Sequence, residues 1–335
     1  LESVILCSTM RAGRYVAESV KLAPGLIPAG ILLLAVALVF SPGAANNHPQ
    51  NFTLAVGPPE LGTLRAAAES TPNVLRLVSF NVHYAREPVK LAESIRANPQ
   101  LARADVFLLQ EIEAYAQEGS SRTRRLAEAL ELNYVYAPAR TTPEGGTHGL
   151  AILSRFPIRD VEIIRLKQFN LGYHTRQRIA LAATLQVGQA DLRVYNLHLD
   201  TRINPGDRLE QLRPVVAQAH AHPIPRLVIA GDFNTNPFRW LGHVLPFHFP
   251  IFRANQAKAV HKFMAAHSLE TRLSKAGPTS RKGPLGLLRA RLDSIYTRGL
   301  EVRNFGVERS VKVSDHSPVW IDVAWPPLKK PGPAP

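Results

Sequence analysis

Between residues 74 and 325 the apolar positions fall into short runs that end in polar residues. VLRLVSFNVHY (74–84) and ADVFLLQEIE (104–113) read as buried strands, because their apolar runs are nearly continuous rather than alternating. Between them PVKLAESIRANPQ (88–100) has helical spacing at Leu91 and Ile95, and SRTRRLAEALEL (121–132) is helical again. Five mostly extended segments follow with short connections: 134–140, 147–158, 160–169, 176–188 and 190–200. A helix at 208–222 leads into the strand and turn of RLVIAGDFNTNP (226–237), then come a helix near 257–267 and extended segments at 291–299, 301–308 and 317–325. Several neighbouring strands leave no room for a crossover helix, which argues against a doubly wound parallel sheet. The pattern predicts one α/β domain over 74–325, a four-layer α/β/β/α sandwich of two packed mixed sheets, preceded by a single hydrophobic helix.

That helix comes from a different pattern. No charged residue occurs between Leu22 and Pro59, and LIPAGILLLAVALVF (26–40) is almost wholly apolar. The length lies between a signal-peptide core and a short membrane span. Residues 1–21 are basic, with Arg11, Arg14 and Lys21, so the positive-inside asymmetry leaves them in the cytoplasm. The expectation is a membrane anchor or signal segment at 22–42, a linker at 43–73 with at most a short helix around 61–69, and a disordered Pro-rich tail at 326–335. It puts the domain on the periplasmic side of an inner membrane, or secretes it if the segment is cleaved. Nothing indicates an obligate protein partner.

Charge adds a partner class. Lys and Arg number 40 against 26 Asp and Glu, a net +14 carried by the part after residue 74, which favours anionic partners such as nucleic acid or acidic lipid. The single cysteine, Cys7, excludes an internal disulfide framework and a thiolate zinc site.

Candidate chemistry sits at the strand ends. Asn81, Glu111, His198, Asp200, Asp232, Asn234, Asp293, Asp315 and His316 follow or close apolar runs. Singly, each suits a cap, a turn or a satisfied polar group. Together they carry a desolvation cost that needs partners. The ligand set is nearly all oxygen, which suits Mg²⁺ or Mn²⁺, and a carboxylate beside His316 would make it a base. No G-x-S-x-G, H-E-x-x-H, P-loop or dinucleotide fingerprint is present.

In their order SFNVHY, LLQEIE, THGLAILSR, NLHLD, GDFNTNP, RLDSIY and SDHSPV resemble the endonuclease/exonuclease/phosphatase family, the superfamily with the deoxyribonuclease-I-like fold. The resemblance implies hydrolysis of phosphodiesters by metal-assisted attack of water on phosphorus. It implies Asn81 and Glu111 as metal ligands, with Asp315 as a metal-side carboxylate. Asp232 would orient or activate the water, and Asn234 would donate to a phosphoryl oxygen. His316 is implied as base or phosphate-binding cation, held by Asp293, with His198 and Arg178 as phosphate contacts. Substrate choice stays open between nucleic acid and phospholipid or sphingomyelin. TSRKGPLGLLRAR (279–291) is basic without an aromatic, and FRWLGHVLPFHFPIF (238–252) is aromatic and apolar, expected as a short helix and turn or as a membrane-dipping loop. A non-catalytic anion-binding module is the minor alternative.

Overall fold

In strand β2 (Val74–Tyr84) Leu75, Leu77, Ser79 and Asn81 share one face, while Val78, Phe80 and Val82 share the other. Both faces are buried, which is why the run is continuous rather than alternating. The computed structural model describes residues 57–66, 70–247, 255–282 and 288–325. The segment 22–42 and the tail 326–335 lie outside them. Among the described residues no helix is long and apolar enough to cross a membrane.

The remaining elements, in chain order, are β1 (Glu60–Gly62), helix α1 (Pro88–Ala97), β3 (Val106–Ala114), α2 (Arg122–Leu130), β4 (Asn133–Thr141), β5 (Thr147–Ser154), β6 (Ile158–Arg165), β7 (Ile179–Val187), β8 (Ala190–His198), α3 (Pro205–Ala221), β9 (Leu227–Asp232), β10 (Arg239–Leu241), β11 (Leu245–Phe247), α4 (Gln256–Ala265), β12 (Ser280–Lys282), β13 (Leu288–Ala290), β14 (Asp293–Arg298), β15 (Glu301–Val307) and β16 (Val319–Ala324). Seven strands pair in the order β1-β4-β5-β3-β2-β16-β15 and five in the order β14-β9-β8-β7-β6. In these two sheets only β2 with β3 and β8 with β9 are parallel, and these pairs are bridged by α1 and α3.

The four layers follow from three apolar clusters. Leu77, Val106, Leu108 and Ile152 meet Leu181, Val194, Val228 and Ala230 between the sheets. Phe80, Phe107 and Leu109 lie under Leu91, Ile95 and Leu126 of α1 and α2. Ala180, Tyr195, Leu197 and Ile229 lie under Leu212, Val215, Val260 and Met264 of α3 and α4. The predicted sandwich is therefore the observed one.

Two segments differ from expectation. Within 57–66, where at most a short helix was expected, β1 pairs antiparallel with the edge strand β4 and supplies the backbone partners that a free edge lacks. The predicted short helix within 238–252 is instead the β10–β11 hairpin over its described part, with Trp240 buried and Leu241 and Val244 exposed at its tip.

The inner faces change character toward one rim. Below it they are apolar; then Ser79, Gln110 and Asn196 join the sheets, Gln110 Nε2 donating to Asn196 Oδ1 at 2.7 Å and Asn196 Nδ2 donating to the carbonyls of Leu109 and Ala151. One step further the same faces carry Asn81, His198 and Asp232. Because β2, β3, β8 and β9 end at this rim and the antiparallel β14 and β16 begin there, the motif residues converge although they are far apart in sequence.

Candidate active site

Glu111 reaches the inner face only because β3 is irregular. Along β3 Val106, Leu108 and Gln110 point inward, so regular alternation would turn Glu111 outward with Phe107 and Leu109. The register shifts between Gln110 and Ile112, and Glu111 takes a left-handed φ of 58°. The bulge moves Ile112 into the helix-facing cluster and turns Glu111 to the gap between the sheets. A left-handed Glu costs about 1–3 kcal/mol, strain that the two flanking strands hold in place. The GDFN turn is equally constrained. Gly231 has φ 148°, and a Cβ there would lie 1.9 Å from Leu197 O, so no other residue fits beside β8. Asn234 has φ 50°, its N–H donates to Asp232 Oδ1 at 2.9 Å, and its Nδ2 donates to Leu199 O at 2.8 Å. An amide carries two side-chain N–H donors, so the second is left for a ligand.

Asp232 is the hub. Its Oδ2 accepts from Asn81 Nδ2 at 3.1 Å and faces His198 Nε2 at 3.6 Å and His316 Nε2 at 3.8 Å. On the other side of His316, Nδ1 lies 2.9 Å from Asp293 Oδ2. A carboxylate only accepts, so the proton sits on Nδ1 and Nε2 is turned toward Asp232. Thr279 fixes that arrangement: its hydroxyl accepts from the N–H groups of Leu292 and Asp293 and donates to Asp293 Oδ2 at 2.6 Å. The segment carrying His316 is tied to the same place, Ser317 N donating to Thr279 O at 2.7 Å and Ser314 Oγ to Asn81 O at 2.7 Å.

A second group is wetter. His83 Nδ1 lies 3.9 Å from Glu111 Oε2 and 3.6 Å from Asp315 Oδ1, and the side chain of His83 is 50 % exposed. Glu111 Oε1 also lies 3.8 Å from His198 Nε2, which connects the two groups. Tyr84 borders this side, its hydroxyl pKa raised by burial first and then by the charge of Glu111. Glu111 and Asp315, with the Asn81 carboxamide beside Asp232, form an acidic hard-oxygen donor set, which fits a divalent cation of the Mg²⁺ type. Asp232, Asp293 and His316 also bring three potential ligand atoms within 4.8 Å of one another. Asp293 and His316 are already bonded to each other, so that trio reads as a proton-handling pair beside a carboxylate.

Arg178 is placed at the rim with its Nε donating to Asp200 Oδ1 at 2.8 Å, and Gln211 Nε2 donates to the other Asp200 oxygen. Beneath this turn the fully buried Arg208 donates to the carbonyls of Asp200, Phe233 and Ile203 and to Gln256 Oε1. Burial pushes its pKa down to about 9, opposed by Asp232 and Asp200. All the residues expected at the site thus meet at one rim. His83, Thr279 and Arg208 are additions: His83 stands inside SFNVHY, whereas nothing in the local pattern marks Thr279 or Arg208.

The model of the endonuclease/exonuclease/phosphatase family matches residues 78–316. No curated protein sequence matches the chain. Solved structures share the fold at low identity. An endonuclease/exonuclease/phosphatase from Beutenbergia cavernae DSM 12333 is 22% identical with a TM-score of 0.59, over 76% of this chain and 72% of that one. The human Nocturnin catalytic domain with a bound sulfate anion is 18% identical with a TM-score of 0.55, over 80% and 98%. A mannosyl-6-phosphatase of Bacteroides thetaiotaomicron VPI-5482 is 18% identical with a TM-score of 0.52, over 75% and 100%. With the family match spanning the whole rim from β2 to His316, the chain belongs to the endonuclease/exonuclease/phosphatase family of phosphoester hydrolases, which generally depend on a divalent metal.

Proposed function

We propose that the chain is a Mg²⁺-dependent phosphodiesterase that acts on nucleic acid as an endonuclease-like enzyme. The observation that carries the reading is the buried Asp293–His316 pair, with His316 Nε2 3.8 Å from Asp232. Asp232 orients the attacking water, and His316 Nε2, the acceptor left when Nδ1 holds its proton against Asp293, takes the water's proton as the P–O bond forms; the bond to the leaving oxygen breaks and that proton passes to the leaving oxygen. His198 and the second amide N–H of Asn234 donate to the phosphoryl oxygens. Glu111, Asp315 and Asn81 would hold the cation, which supplies charge neutralisation at the phosphoryl group. A tetrahedral anion bound to the Nocturnin catalytic domain supports phosphoryl recognition on this fold. The +14 net charge supports a polyanionic substrate.

A second reading, phospholipid or sphingomyelin hydrolysis at a membrane surface, is favoured by Leu241 and Val244, which are 62% and 50% exposed on the β10–β11 tip. The apolar segment 22–42 would keep the domain at the outer side of the inner membrane, or release it after cleavage. The test incubates the full chain and Mg²⁺, with and without EDTA, with plasmid DNA, RNA, sphingomyelin, phosphatidylinositol and a sugar phosphate side by side. Chelator-sensitive nicking or RNA cleavage without lipid turnover is expected. Headgroup release with intact nucleic acid selects the lipid reading, and cleavage of the sugar phosphate alone removes both.

A further inference from the structure

SFNVHY closes β2 with a histidine, His83, to which the family resemblance assigns no role. Three consecutive residues there, His83, Tyr84 and Ala85, take left-handed φ angles of 44°, 74° and 47°, and none is a glycine. Each is disfavoured for a residue with a Cβ, so the turn persists only where its surroundings hold it. Here they do. The His83 N–H donates to Asn81 Oδ1 at 3.1 Å and the Ala85 N–H to Val82 O at 3.1 Å. The buried Arg122 donates from Nη1 to Tyr84 O at 2.9 Å and to Glu113 Oε2 at 3.1 Å, and from Nη2 to Glu118 Oε1 at 2.7 Å.

This turn backs the imidazole of His83 with the Tyr84 ring, 4.5 Å away between centroids, and Tyr84 is backed edge-on by His148 at 6.0 Å. On its free side Nδ1 faces two carboxylates from separate elements, Asp315 Oδ1 at 3.6 Å and Glu111 Oε2 at 3.9 Å. Neither distance is a hydrogen bond. Donors that share one cation at about 2.1 Å each stand roughly 3–4 Å apart, which is the spacing seen. The 50% exposure of the His83 side chain leaves the approach open to a hydrated ion. One nitrogen among carboxylate oxygens is a mixed donor set. Imidazole is a ligand of first-row transition ions, whereas Mg²⁺ sheds water reluctantly and keeps to oxygen.

We propose that His83 Nδ1 is a nitrogen ligand of the catalytic cation alongside Glu111 and Asp315, and that it makes the site select a first-row transition ion such as Mn²⁺ over Mg²⁺. The inference rests on the cation site of the phosphodiesterase reading, not on the substrate given to it. Mg²⁺ is held by the oxygens alone, with water in place of the imidazole.

Mn²⁺ titrated into the metal-free full chain and followed by electron paramagnetic resonance gives its affinity without any turnover, and Mg²⁺ competition gives the second affinity. Electron spin-echo modulation of the bound Mn²⁺, with the chain grown on ¹⁴N- or ¹⁵N-histidine, then reads the ligand directly. Wild type should show an imidazole nitrogen coupling that changes with the label. The coupling should vanish in His83→Asn, whose asparagine tolerates the left-handed turn, and stay in His198→Asn, which removes the other imidazole near Glu111. Mn²⁺ affinity should fall in His83→Asn by at least the roughly tenfold that even a ligand's outer partner is worth, with Mg²⁺ affinity nearly unchanged and circular dichroism native. Bound Mn²⁺ with no imidazole coupling overturns the proposal and leaves the carboxylate cation site standing, as does a coupling and an ion preference that both survive His83→Asn. A wild-type chain that binds neither ion overturns the proposal and the cation site together.

Discussion

The two halves of the catalytic rim are built in opposite ways. Asp232, Asp293 and His316 each have side chains only 1% exposed, whereas those of Glu111, Asp315 and His83 are 20%, 32% and 50% exposed. The dry half is held by a full chain of hydrogen bonds from Thr279 through Asp293 to His316. The wet half has imidazole-to-carboxylate distances of 3.6–3.9 Å, longer than hydrogen bonds. Proton handling depends on tautomer and direction, which burial and a fixed partner supply. A cation that must arrive with part of its hydration needs access and oxygen donors instead. The difference assigns separate failures to substitutions in each half.

The largest loss is expected from Asp232→Asn or His316→Ala, about 10²–10⁴-fold in kcat with the Mg²⁺ dependence of the remaining rate unchanged, measured by steady-state kinetics at several Mg²⁺ concentrations. Glu111→Gln should cost less at saturation and instead raise the Mg²⁺ concentration needed for half-activity, about tenfold or more. If Glu111→Gln lowered kcat with an unchanged Mg²⁺ requirement, the division between the halves would be wrong. Below the rim, Asn196→Leu should cost about 2–4 kcal/mol in denaturant unfolding, since Gln110 Nε2 loses an acceptor and two buried carbonyls lose their donor. The smallest effect concerns His174. Its folded pKa of about 4 lies below the ordinary 6.5, so the unfolded chain binds more protons in between. Stability should therefore fall as pH falls from about 6.5 to 4, modestly because the ring is half exposed, and His174→Gln should remove that part of the slope.

Much of the rim was legible as sequence. Strands buried on both faces read as apolar runs, and a polar residue closing such a run must lie at a sheet rim, which located His198, Asp232, Asp293 and the Asp315–His316 pair. Their grouping rested on the family resemblance, because nothing local says that β9 pairs with β14. Other features depend on tertiary closure. Thr279 lies 14 residues from Asp293 and meets it only through the antiparallel pairing of β12 with β13. The inward turn of Glu111 comes from a bulge that a period-two reading would miss. Conversely, β1 is too short to show a period, and the β10–β11 hairpin carries a helix-like density of apolar residues that its Gly242 turn, at φ 56°, converts into a ribbon.

Hydrolysis of bis(p-nitrophenyl) phosphate, a diester with no second anion, bears on both halves at once when it is followed against Mg²⁺ concentration in the wild-type chain, Asp232→Asn and Glu111→Gln. The two-part centre requires Mg²⁺-dependent turnover in wild type, a lowered plateau in Asp232→Asn and a shifted midpoint in Glu111→Gln. Undiminished turnover in both variants, or wild-type turnover indifferent to EDTA, would contradict it.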